Sequence, residues 1–221
     1  MALYSNTAGT DNTATGSVAL YENTTGYGNA ATGAGALYYN NTGIYNTASG
    51  VNALLSNTTG TYNTAIGYAA DVASEDLTNA TAIGNGASVS ESNKIRLGDS
   101  NVVVIEGQVA FSASSDRRLK KDITNTKYGL KTILELVPVD YQLKSNDLFQ
   151  VGFIAQDLKP IVPEAITGIE GDLEKGETLG VTYTTLVPVL TKAIQEQQAL
   201  IDAQNKVIQQ LQKDMLILKQ K

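Results

Sequence analysis

The side chains best suited to chemistry lie in one short segment, Ser114-Ser115-Asp116-Arg117-Arg118-Leu119-Lys120. The chain has no histidine and no cysteine, which excludes a Ser-His-Asp triad, a cysteine–histidine pair, disulfides and most zinc sites. The segment offers serine hydroxyls, among them that of Ser115, and lysine amines, among them that of Lys120, as the plausible nucleophile and base. A lysine removes a hydroxyl proton only when the amine is neutral. The ordinary pKa of a lysine side chain, about 10.4, must therefore be lowered by desolvation or by positive neighbours such as the two arginines and Lys121.

Spacing alone does not make this pair catalytic. Ser-x-x-x-x-Lys occurs by chance, Ser115 can equally cap a helix with Asp116 in its first turn, and the basic residues can form a solvated turn. A catalytic Ser115 would adjoin its own target, the carbonyl of Ser114, so no binding step would be needed. Ser112 and Ser114 are alternative hydroxyls close to Ser115. Backbone amides after Ser115 are the default oxyanion donors.

The charge distribution changes at the same segment. The whole chain has 221 residues and a formal net charge of −6. Residues 1–114 contain eight acidic and two basic residues, whereas residues 115–221 contain fourteen of each sign. The negative balance argues against nucleic acid or an anionic membrane surface as partner. No run of 18 apolar residues exists, so we expect no membrane insertion.

A repeat of 17 residues fills residues 1–70. Ala2-Leu3-Tyr4 recurs as Ala19-Leu20-Tyr21, as Ala36-Leu37-Tyr38 and as Ala53-Leu54-Leu55. Each repeat ends in a second motif, of which Asn63-Thr64-Ala65-Ile66-Gly67 is the best example. Short apolar segments separated by Asn, Thr and Gly turns predict a β-solenoid, because one unit cannot bury its apolar face alone whereas stacked coils can. A disordered, low-complexity linker is the alternative. The repeats resemble those of trimeric surface adhesin heads and viral tail-fibre stalks.

Residues 71–114 are predicted to form a β-rich neck. Asp71–Asn79 interrupts the repeat, although Thr81-Ala82-Ile83-Gly84 echoes it. Strand-like segments follow at Lys94–Gly98, Val102–Ile105 and Val109–Phe111. Such segments suit a β-prism or an extended trimeric shaft, and an ordinary sandwich edge would look similar.

From Ser115 onward the chain resembles the intramolecular chaperone domain of endosialidases and other viral tail spikes and fibres. The resemblance rests on motifs in the family's order: Ser115-Asp116-Arg117-Arg118-Leu119-Lys120, Gly129-Leu130-Lys131-Thr132-Ile133-Leu134, Pro138-Val139-Asp140-Tyr141, Val151-Gly152-Phe153-Ile154-Ala155-Gln156-Asp157-Leu158, Pro163-Glu164 and Val181-Thr182-Tyr183-Thr184-Thr185-Leu186. The resemblance implies a domain that trimerises, templates folding of the fibre before it, and is then released by autoproteolysis. By motif position it implies Ser115 as nucleophile, Lys120 as base, Asp116 and Arg118 as supporting residues, and cleavage between Ser114 and Ser115.

Apolar residues recur every seven positions from Val187 to the end. The two sets are Val187, Ile194, Ile201, Ile208 and Met215, and Leu190, Gln197, Gln204, Leu211 and Leu218. This pattern predicts a coiled coil, with the two glutamines setting alignment and strand number. Isoleucine at these positions does not decide between two and three strands, but the resemblance favours three. A lone amphipathic helix packed on its own domain is the alternative.

The sequence therefore predicts a mixed fold in four segments. They are a solenoid stalk (1–70), a β-rich, β-prism-like trimeric neck (71–114), an α/β chaperone domain (115–186) and a trimeric coiled coil (187–221). The function that the resemblance implies is a homotrimeric viral fibre or spike tip in the virion that folds and then cuts itself, meets a host receptor or glycan through its stalk, and needs no cofactor or metal. Two alternatives remain: a non-cleaving fibre or cell-surface adhesin with a permanent trimerisation domain, and an enzyme acting on sugars, for which no carboxylate pair is evident.

Overall fold

The computed structural model describes residues 1–145, 147–173 and 177–219. The chain divides into two compact units. The first comprises Met1–Glu106 and Gly168–Thr178, and the second comprises Gly107–Thr167 and Leu179–Lys221.

The first unit is a stack of short parallel strands, one from each coil. A six-stranded sheet has the order β1-β2-β3-β4-β6-β8, and its strands are β1 (Thr13–Thr15), β2 (Ala30–Thr32), β3 (Thr47–Ser49), β4 (Thr64–Ile66), β6 (Thr81–Ile83) and β8 (Ile95–Leu97). A second, two-stranded parallel sheet pairs β5 (Asp71–Val72) with β7 (Ser88–Val89). The central residues of β2, β3, β4 and β6 are alanines that lie one above another inside the stack, so no bulky side chain separates the coils.

Two columns of asparagines run through the interior of the stack. In one column, the Nδ2 of Asn40 donates to the Oδ1 of Asn23 at 2.9 Å, and the Nδ2 of Asn57 donates to the Oδ1 of Asn40 at 2.8 Å. In the other, the backbone N–H of Asn63 donates to the Oδ1 of Asn46 at 2.9 Å. Buried amides are tolerated only when they are hydrogen-bonded, and within the described residues no buried side-chain polar atom lacks a partner.

The turns between strands require left-handed backbone at recurring places. The buried residues Leu20, Leu37 and Leu54 have φ of 50°, 52° and 50°. Each such conformation costs about 1–2 kcal/mol for a residue with a Cβ, so the stack must hold it in place. Gly33 and Gly50, directly after β2 and β3, have φ of 131° and 144°. A Cβ on Gly33 would lie 2.4 Å from the carbonyl oxygen of Gly50, so this approach excludes any other residue.

The stack continues beyond residue 70, where the neck is predicted to begin. Thr81 pairs with Thr64, again 17 residues away, and Ile95 pairs with Thr81 after only 14 residues. The prediction of strands at Val102–Ile105 and Val109–Phe111 is wrong, because the structure describes these residues and places none of them in a strand. Their side chains are exposed, Phe111 by 92 %, and a strand without a neighbour to pair with has no hydrogen bonds to hold it.

The second unit is a small α/β fold. Helix α1 (Leu130–Glu135) precedes an antiparallel hairpin of β9 (Val139–Gln142) and β10 (Phe149–Gly152), and α2 (Ala155–Leu158) follows. Strand β11 (Ile166–Thr167) pairs antiparallel with β12 (Gly180–Val181). The core of this unit consists of Leu158, Val162, Ala165 and Leu186 with partly buried neighbours around them.

Helix α3 (Leu186–Lys219) ends the described chain. Its buried residues are Leu186, Val189 and Ala193, all near its start. The predicted seam lies elsewhere on the helix: Ile194, Ile201 and Ile208 are 64 %, 41 % and 50 % exposed. The helix thus does not use its seven-residue pattern to pack on its own domain. The last two residues of the predicted coiled coil, 220 and 221, lie outside the described residues.

The predicted fold class is confirmed in its main features: an N-terminal β-solenoid, a mixed α/β region and a long C-terminal helix. Trimerisation and the coiled coil stay predictions.

Candidate functional site

The serine–lysine segment is exposed and contains one short ordered turn. Residues Arg117–Leu119 form a 3₁₀ helix, and Asp116 is its N-cap. The Oδ1 of Asp116 accepts a hydrogen bond from the backbone N–H of Arg118 at 2.8 Å. Aspartate is a preferred capping residue because its short side chain reaches the free amides of the first turn. The cap folds the chain back on itself directly after Ser115.

This turn brings the two predicted catalytic side chains together. The Nζ of Lys120 donates to the Oγ of Ser115 at 2.7 Å. The backbone N–H of Lys120 donates to the carbonyl of Arg117 at 3.1 Å, which fixes where the lysine leaves the turn. Both residues are exposed to solvent in the single chain. A hydroxyl and an amine at this distance can exchange a proton once the amine is neutral.

The predicted supporting residues form an ion pair beside this contact. The Nη2 of Arg118 lies 2.6 Å from the Oδ2 of Asp116, and its Nε lies 3.1 Å from both carboxylate oxygens. The Arg118 guanidinium, helped by the Arg118 backbone N–H, holds the pKa of Asp116 below its usual value. The same bond raises the pKa of Arg118. Because the arginine side chain is 88 % exposed, the pair adds little stability, and its effect is to orient Asp116 as the cap.

A polar cluster anchors the segment where it enters the α/β core. The hydroxyl of Tyr128 donates to the Oε2 of Glu164 at 2.6 Å, and the Nζ of Lys127 lies 3.5 Å from the Oε1 of Glu164. These two partners, Tyr128 foremost, lower the pKa of Glu164. The ring of Tyr128 also packs against the core of the second unit. The downstream end of residues 115–127 is thus fixed.

Two further contacts hold the core motifs. The carboxylate of Glu196, in α3, accepts a hydrogen bond from the backbone N–H of Leu130 at 2.8 Å and so satisfies a free amide at the start of α1. The hydroxyl of Tyr183 accepts from the backbone N–H of Phe153 at 3.2 Å. A Cβ on Gly152 would lie 2.2 Å from that hydroxyl, so the glycine of the Gly-Phe-Ile-Ala-Gln motif leaves room for Tyr183.

All the predicted site residues lie in one turn. Ser115 and Lys120 are in contact, Asp116 and Arg118 are paired, and Ser114 directly precedes them. The sequence alone did not predict the anchoring roles of Tyr128, Glu164 and Glu196. Glu164 belongs to the quoted Pro163-Glu164 motif, but its partner is 36 positions away. Glu196 has no sequence signal for its role, since its contact is 66 positions away.

Within the described residues, no cluster of three or more acidic side chains is placed to hold a metal ion. In the same part of the chain, every helix is too short or too polar to cross a bilayer.

A comparison with protein families gives a match for part of the chain. No curated protein matches the chain. A family model described as "chaperone of endosialidase" matches residues 115–167. The match begins at Ser115, the residue at which the charge distribution changes, and it includes the serine–lysine segment and the Gly-Phe-Ile-Ala-Gln motif. It ends before α3, whose resemblance stays a prediction. Over residues 115–167 the chain is thus similar to the chaperone-of-endosialidase family of self-cleaving, peptidase-related chaperones, and a repetitive β-solenoid precedes this segment in the sequence.

Proposed function

We propose that this protein is the end of a viral tail fibre or spike whose C-terminal part assembles three copies, folds the solenoid, and then cuts itself off between Ser114 and Ser115. The observation that carries the proposal is the 2.7 Å contact between Lys120 Nζ and Ser115 Oγ, at the first residues of the segment that matches a chaperone family. The solenoid supplies a reason for a template. Its recurring left-handed residues are unfavourable until neighbouring coils hold them, and its similar coils allow several alternative pairings.

Assembly comes first in the proposed sequence. The seam of α3 is exposed in the single chain and has the seven-residue spacing of a coiled coil, so it is the surface through which three copies associate. Association raises the effective concentration of the attached chains for one another. The stalks can then fold side by side, starting from the joined ends.

Activation follows from burial of the lysine. The Nζ of Lys120 already lies within hydrogen-bond distance of the Ser115 hydroxyl. To act as a base, the amine must be neutral and accept the proton of that hydroxyl. Packing of neighbouring copies over the exposed turn would remove water from Lys120, and desolvation favours a neutral amine. Cleavage would thereby wait until assembly is complete.

The chemistry then needs only residues of the turn. Lys120 takes the proton of Ser115 Oγ while the oxygen attacks the carbonyl carbon of Ser114. The bond from that carbon to the Ser115 nitrogen breaks, and the nitrogen leaves as an amine with the proton from Lys120. The resulting ester between Ser114 and the Ser115 oxygen is hydrolysed by water, giving a carboxylate at Ser114 and restoring the Ser115 hydroxyl.

The developing negative charge on the Ser114 carbonyl oxygen needs donors. The amides of Arg118, Leu119 and Lys120 are engaged within the turn. The amides of Asp116 and Arg117 have no hydrogen bond in the described structure and are the donors that we assign to the oxyanion.

The test is the intact mass of the full chain after expression. We expect two fragments, 1–114 and 115–221. Ser115→Ala and Lys120→Arg should each leave a full-length chain, because the first removes the nucleophile and the second keeps the charge but cannot act as a base. Ser114→Ala is the matched control and should still be cut, since it keeps the scissile carbonyl. Cleavage of Ser115→Ala at the same bond would refute the assignment. An uncut wild-type trimer would support the permanent fibre or adhesin instead.

A further inference from the structure

The outward face of the six-stranded sheet has an unusual composition. Each three-residue strand directs its middle residue into the coil and its two flanking residues outward. Across all six strands, no outward position holds a charged residue; the single charge in the sheet, Arg96, takes the middle position of β8. This face therefore offers nothing that would recognise a charged partner, and covering it costs no ionic desolvation.

The same face changes from polar to apolar along the stack. One outward row contains one residue per coil, in the order Thr15, Thr32, Ser49, Ile66, Ile83 and Leu97. Its last three members are 46 %, 39 % and 40 % exposed, and Ile95 beside them is 68 % exposed. Single exposed apolar residues are ordinary, but a continuous row of them marks a contact surface. The apolar end is the one nearest in sequence to Ser115.

We propose that this face is the surface through which the solenoids of neighbouring copies pack together, closely at the Ile66–Leu97 end and more loosely at the Thr15 end. The partner that covers this face is a second copy of this chain, because the spacing along the face is regular. Successive residues of the outward row are separated by the distance between parallel strands, about 4.8 Å, and the same face of another copy has that spacing coil by coil. The inference rests on the proposed function, because α3 is what would bring the copies side by side.

The first test uses the absence of cysteine from the chain. A single introduced cysteine can be crosslinked only to another copy, so each variant reports one position. We expect Ile83→Cys in the full chain to give a covalent dimer of the stalk fragment after oxidation or with a short bismaleimide. The matched control is Thr59→Cys, a turn position outside the sheet, which should give no dimer. Equal crosslinking of both variants, or of neither, would overturn the inference.

The second test places a charge on the face. Ile83→Lys should still be cleaved, because the cutting site and α3 are unchanged, but its released fragment 1–114 should be a monomer by light scattering. Thr15→Lys, in the same row at the polar end, should leave the fragment a trimer. A trimeric Ile83→Lys fragment would contradict the inference.

Failure of the inference can be told apart from failure of the proposed function. If wild type is cut by a trimeric chain but releases a monomeric stalk without crosslinks, the sheet face is not the contact surface and the chaperone proposal stands. If wild type stays monomeric and uncut, both proposals fail together.

Discussion

One hydrogen bond, from Lys120 to Ser115, separates this turn from an ordinary basic surface loop. It exists because Asp116 caps the 3₁₀ helix and turns the chain, so that two residues five positions apart meet at 2.7 Å. The Arg118 side chain of this ion pair is largely exposed to solvent, so the pair contributes orientation more than energy. The Asp116 side chain is thus a positioning group: by capping the turn it sets the path of the chain that brings Lys120 to Ser115.

Two variants of Asp116 separate its capping role from its charge. Asp116→Asn keeps an oxygen that can accept from the Arg118 amide, and we expect cleavage to be slowed less than about threefold. Asp116→Ala removes the cap, and we expect cleavage to be slower by about fivefold to thirtyfold, since loss of a cap costs about 1–2 kcal/mol. The measurement is the rate at which full-length chain disappears after synthesis. Equal rates for the two variants would rule out capping as the role of Asp116.

The pH dependence of the turn follows from the lowered pKa of Asp116. A carboxylate whose folded pKa lies below its unfolded value contributes stability above the unfolded value of about 3.9, and this stability is lost as pH falls through the folded pKa. Asp116 therefore stays ionised throughout the range from about pH 5 to pH 8. We expect wild type and Asp116→Asn to have pH–rate profiles of the same shape in that range. A decline in rate on the acid side that is present only in wild type would contradict this expectation.

At the scale of the elements, the solenoid depends on hydrogen bonds that repeat from coil to coil. Asn40 shows the arrangement, because its amide donates to Asn23 and to the carbonyl of Gly43 while its oxygen accepts from Asn57. All three asparagines are fully buried. Losing one side chain from such a column leaves its neighbours without partners in a place that water does not reach.

We expect Asn40→Ala to lower the free energy of unfolding of the stalk by about 2–4 kcal/mol. The matched control is Asn41→Ala, the next residue, which is exposed and should change the same quantity by less than about 1 kcal/mol. Urea unfolding of the released fragment 1–114 measures both. Similar losses for the two variants would show that the buried column is not what holds the coils.

The repeat period, the stacked coils and the serine–lysine turn could be read from the sequence because each depends on residues close together in the chain. The contacts that complete the second unit could not, since Tyr128 meets Glu164 and Leu130 meets Glu196 across 36 and 66 positions. Val102–Ile105 and Val109–Phe111 have the composition of strands but remain unpaired. Composition reports a preference for extended backbone, whereas a strand also requires a neighbour.

At the scale of the whole molecule, the solenoid and helix α3 are proposed to have different roles, the first as the stalk and the second as the element that assembles copies. The solenoid is long, repetitive and low in charge, so it has many similar ways to pair. Helix α3 carries an apolar seam that its own domain leaves uncovered, and a seam of this kind is stable only when other copies cover it. Function in this molecule is therefore proposed to depend on assembly at each step.

We expect Ile201→Asp to prevent both trimerisation and cleavage, because it places a charge in the centre of the seam. Ala203→Asp, two residues further along the helix and in neither of the two predicted seam sets, should assemble and cut like wild type. Light scattering gives the oligomeric state, and denaturing gels give the extent of cleavage. Normal cleavage in a monomeric Ile201→Asp chain would show that cutting does not depend on assembly.

The coil between β6 and β8 spans 14 residues, whereas the coils before it span 17. Identical coils have translational symmetry: sliding one copy past another by a single coil restores almost every neighbour, so such fibres are prone to slip. The shortened coil breaks that symmetry once, at a fixed height. A slipped copy would set a short coil against a long one, and the mismatch would count against it. In an assembly of copies, this one 14-residue coil would therefore fix the register in which the otherwise identical coils align.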